Sequence, residues 1–167
     1  MVQLPPVVAL GGWLGATNMT QETLVLGGGS TGLEITSELA ARGGDVTLVD
    51  EPTTVDRARN RRVSTHESTL EATPTLGHRN VGTVVVATGS DARNLLLAGA
   101  APGAFRAERI VALLNDPRNR PAFDDAGIET LCVSATLSRE LLQSLPTETV
   151  SRPSVDAQAT KKRRLSG

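Results

Sequence analysis

The chain has no tyrosine, one tryptophan, two phenylalanines and one cysteine in 167 residues. So few aromatics remove the stacking platforms on which single-strand nucleic-acid binders lay their bases, and they leave the core to Val, Leu, Ile and Ala. The lone cysteine, Cys132, excludes an internal disulfide and gives no metal cluster. Its neighbours in "ETLCVSA" are apolar, which suits a buried strand better than a reactive thiol. An excess of one charge is missing as well. With 17 basic and 18 acidic side chains the formal net charge is -1, so no overall field draws the chain to nucleic acid or to an anionic membrane. No run reaches the roughly 18 consecutive apolar residues of a membrane helix. The nearest stretch, "LPPVVALGGWLGA", is broken by prolines and glycines and lacks the basic leader of a signal peptide. A cytoplasmic protein with no nucleic-acid partner and no direct membrane insertion is therefore expected.

What is present is one domain's worth of chain with tails. Residues 1–21 hold no sustained period and read as a loosely ordered leader, interrupted by Pro5, Pro6, Gly11 and Gly12. Residues 146–167 are rich in Pro, Ser, Thr and charge, and read as a disordered tail whose Lys161 to Arg164 run is a solvated end. Between them, 22–145 alternates short β-branched runs with helical stretches: "TLVL", "STGLEITSELAARG", "DVTLVD", then "VGTVVVATG", "DARNLLLAGAA", "RIVALLN", "DPRNRPAFDDAG", "ETLCV" and "ATLSRELLQSL". This is the pattern of βαβ units, and it predicts an α/β fold with a Rossmann-like doubly wound parallel sheet in a single domain. "TVVVA" is apolar at every position but the first, as a strand covered on both faces should be. The stretch 51–80 is the least regular. A helix near "TVDRARN" and a short strand near "RRVST" are expected there, followed by an exposed connection, "STLEATPTLGHRN".

Gly27, Gly29 and Gly32 fit G-x-G-x-x-G directly after a predicted strand and at the start of a predicted helix. Alone the match would be weak, but a second strand follows and ends in an acid, Asp50. Gly27 lets the chain turn out of the strand, Gly29 lets a pyrophosphate approach the backbone, and Gly32 lets the helix pack closely on the sheet. Ser30 and Thr31 then stand at the helix N-terminus, where unpaired N–H groups and the dipole attract phosphate. Asp50 can accept both hydroxyls of an adenosine ribose. It favours NAD over NADP, since a 2'-phosphate would meet like charge, and Glu51 adds to that exclusion. Arg57, Arg59, Arg61 and Arg62 lie further on and could in principle reach a 2'-phosphate. ATP or ADP would satisfy the same groups.

A second stretch, "VVVATGSDARNLLLAGAA", ends a strand in Ala87, Thr88 and Gly89 and opens into a helix, at the sheet edge where open α/β folds bind ligands. Asp91 is placed to cap that helix, a role preferred here over catalysis. Groups for proton transfer are few. Without tyrosine, and with lysine only at positions 161 and 162, the Tyr–Lys pair of short-chain reductases is impossible. His66 and His78 fall in the irregular stretch; either could serve as a base, but a surface or adenine-edge side chain is the preferred reading.

These blocks, together with "RIVALLNDPRNRPAFDDAGIETLCVS", resemble the core of the TrkA N-terminal (RCK or KTN) domain family over about 22–145. The "A-T-x-x-D-x-x-N-L" block, Ala87 to Leu95, and the "N-D-P" of Asn115 to Pro117 make the resemblance more specific than a generic dinucleotide fold. It implies a cytoplasmic regulatory module that binds NAD(H), or ATP or ADP, and couples nucleotide state to potassium transport without catalytic chemistry. It further implies a homo-oligomer partnered with a membrane potassium transporter or channel subunit. By motif position the cofactor-binding set is Gly27, Gly28, Gly29, Ser30, Thr31, Gly32, Asp50, Glu51, Ala87 and Thr88, with no catalytic and no metal residue. The family's C-terminal sensing lobe and any channel segment have no counterpart here, so an indirect link to transport is expected. The alternatives are an NAD-dependent oxidoreductase, or a nucleotide-binding subunit of one, and a scaffold that binds nothing.

Overall fold

The computed structural model describes residues 21–61, 63–77 and 81–145. The expected tail, the expected leader apart from Gln21, and His78 lie outside the described residues. In chain order the elements are β1 (Thr23–Leu26), α1 (Ser30–Ala41), β2 (Val46–Asp50), α2 (Pro52–Arg59), β3 (Ser64–Glu67), β4 (Thr83–Val86), α3 (Asp91–Phe105), β5 (Arg109–Leu114), a 3-10 turn (Pro117–Asn119), α4 (Arg120–Asp125), β6 (Glu129–Cys132) and α5 (Val133–Ser144).

All six strands pair in parallel in the order β3-β2-β1-β4-β5-β6. The chain winds outward from β1 to β3, returns to lay β4 against the other side of β1, and winds outward again. This is the predicted Rossmann-like sheet. Its direction reverses between β1 and β4, where the carboxyl ends of parallel strands leave a crevice. Leu26 is level with both Val49 and Val86, so β1, β2 and β4 reach that crevice together.

Alternation along the strands divides the apolar side chains between two cores. Leu24 and Leu26 join a cluster with Val84, Val86, Leu97, Ala101, Phe105 and Leu114, while Val25 joins a second with Leu33, Val46, Leu48 and Ala58. A sheet covered on both faces explains why the central strands are hydrophobic without a break. Cys132 is buried at the end of β6, as its neighbours suggested.

Four local expectations change. The short third strand is Ser64–Glu67 rather than "RRVST", because α2 and the turn after it take up the chain through Arg61. The connection after it is not simply exposed: Leu70 and Pro74 are buried, and Leu70 enters the first core with φ +55°. A left-handed leucine is costly, and burial of its side chain offsets the cost. Thirdly, Asp91 does not cap α3. Ser90 does, its Oγ accepting from the Arg93 N–H, and Asp91 is the first helical residue. α3 also runs beyond the expected stretch, through Pro102 to Phe105, because Leu97, Ala98, Ala101 and Phe105 form one buried stripe. α5, taken by itself, has no buried residue and carries Leu137, Leu141 and Leu142 well exposed.

Asp91 instead ties the start of α3 to the segment after β5. Its carboxylate accepts from the Asn115 N–H (2.7 Å), the Asn115 Nδ2 (2.9 Å), the Asp116 N–H (2.9 Å) and the Asn119 Nδ2 (2.8 Å). Desolvation alone would raise its pKa, but these hydrogen bonds outweigh it and hold the carboxyl below its ordinary 3.8. A depressed folded-state value means the stabilisation is complete above about pH 3.8 and is lost as pH falls through the lower folded value. Asp91→Ala is expected to cost about 1–2 kcal/mol near neutral pH, reduced from a buried group's cost by its partial exposure. In urea melts the difference from the parent chain should shrink in acid below the folded pKa, and a difference unchanged in acid would contradict this role.

Candidate functional site

The turn from β1 into α1 is built by backbone contacts. The Gly27 N–H still donates to the Val49 carbonyl (2.7 Å), so the chain leaves β1 attached to β2. The Thr31 N–H donates to the Gly28 carbonyl and the Leu33 N–H to the Gly29 carbonyl, which closes the first turn of α1 (both 3.0 Å). A Cβ on Gly32 would lie 1.9 Å from the Gly27 carbonyl oxygen, far inside any tolerable contact. The helix therefore sits directly on the strand exit, the role its position in the motif predicts. Gly29 has φ +54° and ψ -122°, a conformation essentially reserved for glycine, and a Cβ there would meet nothing within 4 Å. The surface above Gly29 is open.

Asp50 ends β2 and is 7% exposed. Its Oδ2 accepts from the Gly29 N–H and its Oδ1 from the Glu51 N–H, both at 2.8 Å. The carboxylate is thus aimed by the loop it faces, and each ionised oxygen keeps a further lone pair for an incoming hydroxyl. Glu51, exposed, forms the N-cap position of α2.

These groups line a cleft of about 230 Å3 bounded by Gly27, Gly28, Gly29, Asp50, Glu51 and Thr88, with Thr54, Thr69, Leu70, Gly89 and Arg93 completing it. Six of the ten sequence-selected residues therefore meet at one cavity. Ser30 and Thr31 stand exposed beside it in the first turn of α1, and Ser30 Oγ accepts from Arg57 Nη1 (3.3 Å). Gly32 and Ala87 lie beneath the loop: Ala87 is 4% exposed, and its carbonyl would sit 2.9 Å from a Cβ on Gly28. His66 is exposed on the edge strand β3 and is not among the described residues of the cleft. A larger recess, about 670 Å3, runs along the outer face of α1 from Ser30 to Arg42 and contains none of the loop glycines.

Thr88, Leu70 and Arg93 form the far wall. Thr88 is held from behind: its Oγ1 lies 2.5 Å from Asn94 Oδ1, while Asn94 Nδ2 donates to the carbonyls of Thr88 (3.0 Å) and Leu113 (2.8 Å). Asn94 is fully buried with its polar atoms satisfied, so the end of β4 is fixed to α3 and β5. Sequence reasoning missed Thr54, Thr69, Leu70 and Arg93. The first three give no local signal, since only the fold brings them to the crevice. Arg93 lies one turn after the Thr88–Gly89 exit, and that spacing could have marked it.

A parallel α/β sheet in this order, with a glycine loop and an acid at the switch point, defines a dinucleotide-type fold. The model of the TrkA-N domain family matches residues 23–134, and the chain belongs to that family. It is similar to the Trk system potassium uptake protein TrkA of Mycobacterium tuberculosis (strain CDC 1551 / Oshkosh), with 34% identity over 130 residues, and equally to that of strain H37Rv. The alignment covers 74% of this chain and 58% of the relative, so the chain spans little more than half the length of these proteins. Among solved structures it resembles the TrkA-N domain of the inner membrane protein ybaL from Escherichia coli, with TM-score 0.65, 16% identity, and 77% and 99% of the two chains covered. It also resembles the NAD(P)-binding domain of an exopolyphosphatase-related protein from Archaeoglobus fulgidus, with TM-score 0.62, 18% identity, and 74% and 96% covered. At these identities the structural likeness shows the fold.

The 1.9 Å approach makes Gly32 the least replaceable of the loop residues. Gly32→Ala must push α1 off the strand exit and is expected to cost about 3 kcal/mol, at the upper end of overpacking penalties. A urea denaturation midpoint close to that of the parent chain would refute this packing.

Proposed function

We propose that the chain is a nucleotide-binding regulatory module, with NAD(H) as the preferred ligand and ATP or ADP as alternates, acting on a potassium transport system without catalytic chemistry of its own. The observation that carries the reading is the Asp50 carboxylate, held by two backbone N–H groups at the mouth of a cleft walled by the glycine loop. In this reading the adenosine ribose lies on Asp50. The phosphates lie over Gly29 and against Ser30 and Thr31, where the α1 N-terminus supplies N–H donors and the positive end of its dipole.

The preference for NAD over NADP is supported by the charges around the cleft. Glu51 lines it, and two of the arginines that could receive a 2'-phosphate are already paired: Arg59 with Asp56 and Glu67, and Arg61 with Glu34. A sensor rather than an oxidoreductase is the reading that follows the family of the chain.

The link to potassium transport follows the name of the relatives at 34% identity, and a cytoplasmic location belongs to the same proposal. Among the described residues no helix is long and apolar enough to cross a membrane. Self-association is also proposed, through the exposed leucines of α5.

Calorimetric titration with NADH, NAD, NADPH, ATP and ADP is the direct test. NADH or NAD should bind, and Asp50→Ala should weaken binding at least about tenfold, or 1.4 kcal/mol. No binding at millimolar ligand, or binding indifferent to Asp50→Ala, would sink the proposal. In sedimentation velocity the parent chain is expected to run heavier than one chain, and Leu137→Gln with Leu141→Gln to run as a monomer. A parent chain that stays monomeric at high concentration would remove the self-association.

A further inference from the structure

The recess of about 670 Å3 on the outer face of α1 lies apart from the Asp50 cleft, and every described residue that lines it belongs to α1 or to its C-cap, Arg42. We propose that a segment of this same chain, Leu4 to Leu14 ("LPPVVALGGWL"), lies along this recess as a strap, with Trp13 over Leu39 and Arg42. The contact is an interaction surface within the chain, and it is independent of whether a nucleotide binds.

The chemistry of the two partners matches. Ile35 and Leu39 stand at i and i+4 on α1 and form one apolar ridge. Both are half-buried: they pack against the core of Val25, Leu33 and Leu48 and also line the recess. Exposed Glu38 and Arg42 flank them. Seven of the eleven residues from Leu4 to Leu14 are Leu, Val, Ala or Trp, and none is charged. Laying this segment on the ridge removes apolar area from water on both partners, and it buries no unpaired ion. The Arg42 side chain is 75% exposed and its contact with Glu38 is long, at 3.4 Å, so its guanidinium is free to lie over an indole face.

Reach favours the same face. The described chain begins at Gln21, at the end of the sheet where α1 finishes: the Thr23 N–H donates to the Asp45 carbonyl (2.8 Å), and Asp45 stands three residues after Arg42. With two residues on one side of that bond and three on the other, Gln21 and Arg42 lie within about 20 Å of each other. The eight residues from Trp13 to Gln21 span up to about 27 Å when extended, so Trp13 reaches the Arg42 end of the recess. Val7 then lies about 20 Å further on in an extended chain, against roughly 18 Å for the length of α1. Pro5 and Pro6 favour the extended form, and Gly11 and Gly12 let the backbone come close to the helix. Trp13 thus stands at Arg42, and the start of the strap comes to Thr31.

Trp13 is the one tryptophan and there is no tyrosine, so tryptophan fluorescence of the whole chain reports the strap alone. Acrylamide should quench Trp13 about threefold less than it quenches free N-acetyl-tryptophanamide, as befits an indole withdrawn from water. Ile35→Gln with Leu39→Gln should restore full quenching, with far-UV circular dichroism checking that the fold is kept. Because both side chains also touch the core, a second measurement uses exposed positions. A nitroxide on Glu38→Cys should quench Trp13 directly, and the same label on Asp124→Cys, across the sheet on α4, should not. Cys132 is buried and does not compete for the label. The strap is overturned if Trp13 is as open to acrylamide as the free amide, if its protection survives the double substitution in a folded chain, or if the two labels quench it equally. Protection that fades on dilution would overturn it as well, by placing the segment on a second copy.

Discussion

The close approach of the first turn of α1 to the exit of β1 sets the geometry on which the rest of the site depends. Because Gly32 lies against the Gly27 carbonyl, the three-glycine turn has no room to relax, and the start of the helix is held over the carboxyl edge of the sheet. The Gly29 N–H then meets Asp50, and one acid at the end of the neighbouring strand locks the turn and becomes part of the cleft wall. A side chain at position 32 would disturb helix, turn and carboxylate together, since the helix start, the turn and the Gly29–Asp50 bond meet at this one contact.

The opposite wall has its own support. Two polar constructions hold the start of α3: the buried Asn94, bonded to carbonyls at the ends of β4 and β5, and the more exposed Asp91, bonded to Asn115, Asp116 and Asn119. The first is shielded from solvent and indifferent to salt, whereas the second carries a charge and responds to pH. Together they fix Thr88, Gly89 and Arg93 relative to the sheet. The cleft therefore lies between a wall set by glycine packing and a wall set by hydrogen bonds.

Much of this was legible in the sequence wherever the signal is local. The run from Thr23 to Asp50 specifies strand, turn, helix, strand and acid in consecutive residues, and the structure follows it element by element. The unbroken valines of β4 announced a strand covered on both faces. The misreadings arise where distant contacts decide. Nothing near Leu70 in sequence says that it will be buried against β1 and α3 in a left-handed conformation. Asp91 has the residue type and spacing of a cap, and only the arrival of Asn115 and Asp116 from the end of β5 gives its carboxylate other donors. β3, with the sequence "STHE", has no hydrophobic alternation because it borders solvent, and its span could not be read from periodicity.

That polarity bears on what the sheet can join. β3 is four residues long, mostly exposed, and tied to α2 by the Arg59–Glu67 ion pair, so its outer edge offers little for another strand to zip onto. Copies of the domain brought together at high concentration are thus protected on this side from fusing into a continuous ribbon. An assembly that uses this face must do so through side chains, which can be released again, rather than through a backbone ladder.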